Sequence, residues 1–146
     1  DDAQRFTSMS WHFEERLAPF GLYDAYDKAA LTEKMQIIGV SGTATTFGAL
    51  HLGLKTYDRS KVDGLWLPAD GAADIADRLI SMEQGDRAIH PGIGRGRSSL
   101  VISGSAILMT ILRLWPVERI RIADRGLREG ILYGLIQERR DRKAQT

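Results

Sequence analysis

Ile37-Ile38-Gly39-Val40-Ser41-Gly42-Thr43-Ala44-Thr45-Thr46-Phe47 is the stretch on which the fold turns. Met35 to Val40 is a short β-branched run closed by Ser41-Gly42, which reads as a buried strand. Phe47, Leu50 and Leu54 then recur at helical spacing, so a strand, a glycine turn and a helix follow one another without a linker. That succession is the unit of an α/β domain. A second one lies near the other end: Arg119-Ile120-Arg121-Ile122-Ala123 alternates at period two, as a half-buried strand does, and Leu127, Ile131, Leu135 and Ile136 continue as a helix for which Asp124 is a natural N-cap.

Between and around these units the pattern is mostly helical. Phe6, Met9, Phe13 and Leu17 predict a first helix from about Ala3 to Ala18, ended by Pro19-Phe20-Gly21, and a second is expected over Leu22 to Lys34. Val62 to Leu67 is expected to pair briefly before Pro68. Asp70-Gly71 precedes a helix through Ile75, Leu79, Ile80 and Met82, with a shorter helical piece over Gln84 to Ala88. Ser98 to Leu114 is apolar almost all round; its length favours one buried helix over a strand that turns at Gly104. There is no internal repeat or Pro/Ser-rich linker, so a single α/β domain is expected, helix-rich with a small sheet.

Composition excludes several classes. The 146 residues are 43% apolar and 27% charged, with no cysteine, so no disulfide framework is available. The longest apolar stretch, Leu100 to Leu114, is interrupted by Ser103, Gly104, Ser105, Thr110 and Arg113, short of the roughly 20 apolar residues of a membrane helix. A cysteine-free chain fits a reducing compartment, and a cytoplasmic location is expected. The Asp1-Asp2 opening, without methionine or a signal-peptide pattern, reads as a boundary inside a longer protein. Charge is unevenly spread: residues 1 to 70 hold 7 basic and 10 acidic side chains, residues 71 to 146 hold 13 and 9, balances of −3 and +4. The second half favours anions. No aromatic residues interleave with its arginines in the manner that stacks nucleobases, so nucleic acid is not the expected partner.

Three places can carry anion chemistry. At Ser41-Gly42-Thr43-Ala44-Thr45-Thr46 a glycine permits close approach, the helix offers unpaired N–H groups, and the hydroxyls add donors, which together favour phosphate. The same residues also read as a plain tight turn with Thr43 capping the helix. Arg95-Gly96-Arg97-Ser98-Ser99 sets two arginines in a glycine-rich loop, suited to forked binding of an oxyanion or simply exposed to water. Ala123 to Gly130 offers either a capped helix start with Arg128 and Glu129 in local ion pairs, or a face toward substrate or a neighbouring domain. His12, His51 and His90 are scattered without metal-ligand spacing, and Asp58, Asp63, Asp70 and Asp74 form no evident metal clamp or acid/base pair. Ser41 lacks the Gly-x-Ser-x-Gly frame of a nucleophile elbow. His51 and Trp66 read as packing residues.

Taken in order, Ile38-Gly39-Val40-Ser41-Gly42-Thr43-Ala44-Thr45-Thr46, His51-Leu52-Gly53-Leu54, Tyr57-Asp58-Arg59, Val62-Asp63-Gly64, Pro91-Gly92-Ile93-Gly94, Leu100 to Leu108 and Ala123 to Gly130 resemble the exopolyphosphatase/guanosine pentaphosphate phosphohydrolase family. That family belongs to the superfamily of sugar kinases, heat-shock ATPases and actin. The resemblance covers nearly the whole chain. It implies a ribonuclease H-like, actin-like domain, the second of a pair, with an upstream domain of the same protein across a cleft. It implies hydrolysis of the terminal phosphoanhydride of inorganic polyphosphate or guanosine pentaphosphate with Mg2+, whose ligands are expected mainly from the upstream domain, as is the carboxylate that activates water. No catalytic residue and no metal ligand is expected within this chain. By the same likeness, Ser41, Gly42, Thr43, Thr45 and Arg97 bind phosphate or nucleotide, whereas Gly104, Asp124, Arg128 and Glu129 have interdomain or structural roles. The family's usual Arg-Ala-Asp run reads Arg97-Ser98-Ser99 here, so its aspartate is replaced.

Two other functions stay open at this level: a non-catalytic module that senses polyphosphate or an alarmone through the same anion site, and a domain whose role is only to pack against its partner. A homodimer is also left open, and no membrane association is expected.

Overall fold

A computed structural model of the chain describes residues 1–20, 36–93 and 96–144. The first helix, α1, runs Asp2–Leu17, capped by the Asp1 carboxylate accepting from the Ala3 N–H, and ends in a 3₁₀ turn at Ala18–Phe20. After it come β1 (Ile38–Val40), α2 (Ser41–His51), the single-turn α3 (Arg59–Val62), β2 (Trp66–Pro68), α4 (Ala69–Ser81), α5 (Gln84–Ile89), α6 (Val101–Leu114), β3 (Arg119–Ala123) and α7 (Leu127–Ala144). The helix expected over Leu22 to Lys34 lies outside the described residues.

The sheet has order β1-β3-β2, so β3, last in sequence, lies in the middle. It runs parallel to β1, with Ile38 opposite Arg121 and Val40 opposite Ala123, and antiparallel to β2, with Trp66 opposite Arg121. The two-residue period of a strand puts Ile120, Ile122 and Leu67 on one face, where each is fully buried. That face meets α2 and α4 through Phe47, Ala72, Ile75 and Leu79, Ile102 and Leu108 of α6 join the same core, and α1 lays Phe6 and Met9 against it. Apolar residues all round α6 suit its place between α1 and the rest, and the helix expected over Ser98 to Leu114 is present from Val101.

The opposite face of the sheet corrects the reading of Met35 to Val40 as buried. Ile38 and Val40 are 56% and 51% exposed, because only alternate strand residues can reach the core and β1 spends that side on Gly39. Beside Ile38, the guanidinium groups of Arg121 and Arg119 lie 5.0 Å and 4.4 Å from the Trp66 ring centre. Trp66 is thus a platform for two cations, which accounts for its half-buried position. Pro68 belongs to β2, and an edge strand tolerates its missing N–H.

Arg87 is buried at the corner between α4 and α5. Its guanidinium donates to the carbonyls of Leu79 and Met82 and to the carboxylate of Asp2 on α1. The pairing holds Asp2 below the ordinary carboxylate range. One charged side chain therefore ties the start of the first helix to the end of the fourth.

Candidate functional site

The turn from β1 to α2 is made by Ser41, the one non-glycine residue among those described with a left-handed φ, at +81°. Holding a serine there costs on the order of 1–3 kcal/mol, a strain usually found where backbone groups are aimed at something. Helix α2 starts at Ser41 with Val40 in the cap position and no side-chain hydrogen bond to its first amides. Thr43 therefore does not cap the helix; it already lies in the first turn. At α6, Leu100 holds the cap position, and the N–H groups of Leu100 and Val101 donate to the Arg97 carbonyl at 3.0 and 2.9 Å.

These two helix starts converge. Ser41, Gly42, Thr43 and Thr46 from α2, and Arg97, Leu100 and Val101 from the approach to α6, line a cavity of about 180 Å³. Each helix start carries the equivalent of about half a positive charge. Arg97 adds a full one, exposed and without an acidic partner among the described residues. Its guanidinium lies against Gly42, where a β-carbon would come within 3.2 Å of Cζ, and Nη1 makes a long 3.5 Å contact with the Gly42 carbonyl. The bare α-carbon of Gly42 is thus what lets the arginine settle over the turn. None of the seven lining residues is acidic.

Thr43 is held from behind by Gly104 of α6. A β-carbon on Gly104 would fall 2.4 Å from Thr43 Oγ1 and 2.8 Å from its Cγ2. Gly104 is buried, and its observed role is to let Thr43 pack against the helix backbone. Thr45 is not brought to the cavity: it is buried, and its hydroxyl donates to the carbonyls of Ser41 and Gly42 at 3.2 Å each. Thr46 stands at the cavity instead, one residue along the same helix. Arg95 lies outside the described residues.

Ser41 is also shared by a second cavity of about 390 Å³, bounded by Val40, Arg59 and the segment Asp124 to Glu129. Asp124 is not the N-cap of α7. Its carboxylate accepts from the Tyr57 hydroxyl at 2.7 Å and pairs with Arg59 Nε at 3.3 Å, while Arg59 also donates to the Asp124 carbonyl. Glu129 caps the helix start, accepting from the Gly126 N–H at 2.8 Å, and lies 3.7 Å from Arg59. Asp63 accepts from the Asp124 N–H at 3.0 Å and pairs with Arg125 at 2.8 Å. The backbone donor at Gly126 lowers Glu129, and Arg125 with the Asp124 amide lowers Asp63, so both stay ionised at neutral pH. Burial and the bond to Asp124 push the Tyr57 phenol up to about 12. Arg128 has no ion-pair partner among the described residues. Tyr57 and Arg59 were legible only as members of an ordered run; no local pattern pointed to their partners, more than 60 residues away.

Magnesium needs several hard oxygen ligands. Among the described residues no three His, Asp or Glu side chains come together, and the smaller cavity holds no carboxylate. These residues alone do not make a magnesium site, and no helix among those described is long and apolar enough to cross a membrane.

The architecture and sequence both have relatives. A model of the Ppx/GppA phosphatase family matches residues 12–139. A guanosine-5'-triphosphate,3'-diphosphate pyrophosphatase of Pseudoalteromonas atlantica is 25% identical over 122 residues, covering 82% of this chain and 23% of the relative. Exopolyphosphatase 2 of Mycobacterium tuberculosis is 22% identical over 102 residues, covering 67% and 32%. The chain thus spans a third or less of the length of these two curated relatives. Among solved structures, an exopolyphosphatase-like protein superimposes with a TM-score of 0.75 at 26% identity, over 90% of this chain and 42% of that one. An exopolyphosphatase from Cytophaga hutchinsonii gives 0.73 at 20% identity, over 92% and 42%. The fold is that of an actin-like domain, here helix-rich with a small mixed sheet. With a family model matched over most of its residues, the chain belongs to the Ppx/GppA phosphatase family.

Proposed function

We propose that this chain forms one wall of a phosphohydrolase active site, binding the phosphates of inorganic polyphosphate or guanosine pentaphosphate while an upstream domain supplies the water-activating base. The observation that carries this reading is the convergence of the uncapped α2 N-terminus, the start of α6 and Arg97 on a cavity without acidic residues. Hydrolysis of a phosphoanhydride requires little covalent help from protein; it requires positioning and neutralisation of charge on the phosphoryl oxygens. The amides at the start of α2, the Thr43 and Thr46 hydroxyls and the Arg97 guanidinium are donors suited to that task, with the positive end of the α6 dipole beside them. Nothing lining the cavity can take a proton from water, so the base belongs elsewhere in the whole protein. Magnesium, if used, needs ligands beyond these residues, and no step is assigned to it.

A helix start contributes about 0.3–1 kcal/mol to holding an anion. A charge-assisted hydrogen bond contributes about 1.5–3 kcal/mol. The sum, about 2–5 kcal/mol, corresponds to binding by this chain on the order of millimolar. NMR titration with inorganic tripolyphosphate tests it: the amides of Ser41 to Thr43 should shift, and Arg97→Ala should abolish most of the effect. Shifts confined to the arginine-rich end of α7 would refute the assignment. The chain alone should not hydrolyse polyphosphate, and robust magnesium-dependent turnover by it would overturn the placement of the base. The lack of a carboxylate in the cavity also suits a sensor that binds without cleaving; absence of turnover by the whole protein, with binding intact, would select that reading.

A further inference from the structure

Helix α7 stands apart from the rest of the molecule. None of its 18 residues is buried, although Leu127, Ile131, Leu132, Tyr133, Leu135 and Ile136 are large and apolar. Each is between 49% and 82% exposed, so at roughly 200 Å² per side chain they leave on the order of 700 Å² of apolar surface open to water. A monomer rarely shows a contiguous apolar patch above about 300–600 Å², whereas each side of a stable protein pair buries about 800 Å². The helix is therefore one side of an interface, and its own domain does not supply the other.

The spacing along α7 points to what fits it. Arg128, Ile131, Leu135, Glu138 and Arg142 follow one another in steps of three and four residues, the repeat that keeps a seam facing a neighbouring helix. The charges sit symmetrically about the apolar pair, Arg128 one step before Ile131 and Glu138 one step after Leu135. Turned end over end, the seam is its own complement. Ile131 of one copy meets Leu135 of the other, and Arg128 meets Glu138, each contact made twice. A parallel pair would instead set Arg128 against Arg128 and Glu138 against Glu138. Arg128 has no ion-pair partner among the described residues to give up, and Glu138 has a 3.7 Å pair with Arg142 on the exposed helix surface, of a kind that contributes little. Leu132 flanks the seam and comes over Gly134 of the other copy, where a β-carbon would meet nothing within 4 Å. A second seam, Glu129, Leu132, Ile136 and Arg139, has the same steps, but the Glu129 carboxylate is already held by the Gly126 amide.

We propose that a second copy of this chain covers α7, the two helices packing antiparallel about a two-fold axis with Ile131 and Leu135 at the centre and an Arg128–Glu138 pair at each end. The contact is the same on both copies, so the assembly closes at two. It stands independently of the phosphate-site reading.

Sedimentation equilibrium of the 146-residue chain tests it. The expected result is a dimer, twice the 16.2 kDa of the chain, at about 100 µM protein. Leu135→Asp should weaken the pair at least about 100-fold, by burying a carboxylate in the seam, and Ile136→Asp, outside the seam, far less. Arg128→Glu should weaken it about tenfold, and adding Glu138→Arg to that variant should restore it. No residue of α7 is buried, so none of these changes puts the fold at stake, and unchanged far-ultraviolet circular dichroism checks that. A monomer at that concentration overturns the proposal, as does a dimer that survives Leu135→Asp, or a charge swap that fails to restore pairing. A chain that stays monomeric but sediments with vesicles of anionic phospholipid gives the helix to a membrane surface. A dimer that disappears in a longer form carrying the proposed upstream domain gives it to that domain. Either result overturns the second copy as its occupant.

Discussion

Gly104→Ala places a methyl group where the molecule has none to spare. The new β-carbon would lie 2.4 Å from Thr43 Oγ1, 2.8 Å from Cγ2 and 3.1 Å from Cβ. Rotating Thr43 about its first side-chain torsion does not help, since it carries two γ atoms and its β-carbon is fixed to the α2 backbone. The two helices must separate or Thr43 must twist, which places the cost in the upper part of the ~1–3 kcal/mol range for overpacking. Replacing glycine by alanine inside a helix returns about 0.8–1 kcal/mol. The expected net effect is a loss of about 1–2 kcal/mol in urea unfolding, together with weaker tripolyphosphate binding because Thr43 lines the cavity proposed to hold phosphate. Thr43→Ala removes the two closest atoms, so in that background Gly104→Ala should become neutral or stabilising, and a double-mutant cycle should show a coupling of about 1 kcal/mol. If Gly104→Ala instead stabilises the chain by the full helix-propensity gain and shows no coupling to position 43, the packing argument is wrong.

Other perturbations separate the remaining elements. Arg97→Ala should weaken tripolyphosphate binding by roughly one to two orders of magnitude, the range of one charge-assisted hydrogen bond, whereas Arg139→Ala on exposed α7 should change it little; equal effects in the NMR titration would count against the site. Arg87→Met should destabilise the chain by about 1–3 kcal/mol, since the Leu79 and Met82 carbonyls lose their donor, as measured by thermal or urea unfolding. Tyr57 binds its proton more tightly in the folded than in the unfolded chain, so its contribution to stability is complete below pH 10.0 and is lost as pH rises toward about 12. Unfolding measured across that window should show a decline that Tyr57→Phe flattens. Asp63 behaves oppositely: its lowered value means stability present above the ordinary 3.8 and lost as pH falls below it, which Asp63→Asn should abolish in acid unfolding curves.

Local patterns carried the architecture well and the site only partly. The turn at Ser41-Gly42, the apolar helix ending at Leu114 and the alternation of Arg119 to Ala123 all depend on neighbours a few residues apart, so periodicity finds them. Asp124 reads as a cap because capping is a local rule, whereas its actual partners, Tyr57 and Arg59, come from the distant segment between α2 and β2. Thr45 and Thr46 are indistinguishable in sequence. One turns its hydroxyl back to the Ser41 and Gly42 carbonyls and the other lines the cavity, a difference set by the rotation of α2 on the sheet. Nothing in Gln84 to Ala88 announced that Arg87 would be buried, since its carboxylate partner is Asp2.

The position of β3 has a consequence for how the molecule is made. The strand that joins the other two is the last of the three to leave a ribosome, and Ile38 waits for Arg121 before it has a neighbour. Until then β1 and β2 have no strand between them, and only helical hairpins can form from local contacts. Both pairings of the sheet join distant parts of the chain, contacts of the kind that slow folding. A chain stopped before Arg119 would keep the cavity-lining residues Ser41 to Arg97 but lose the strand against which their turn is built.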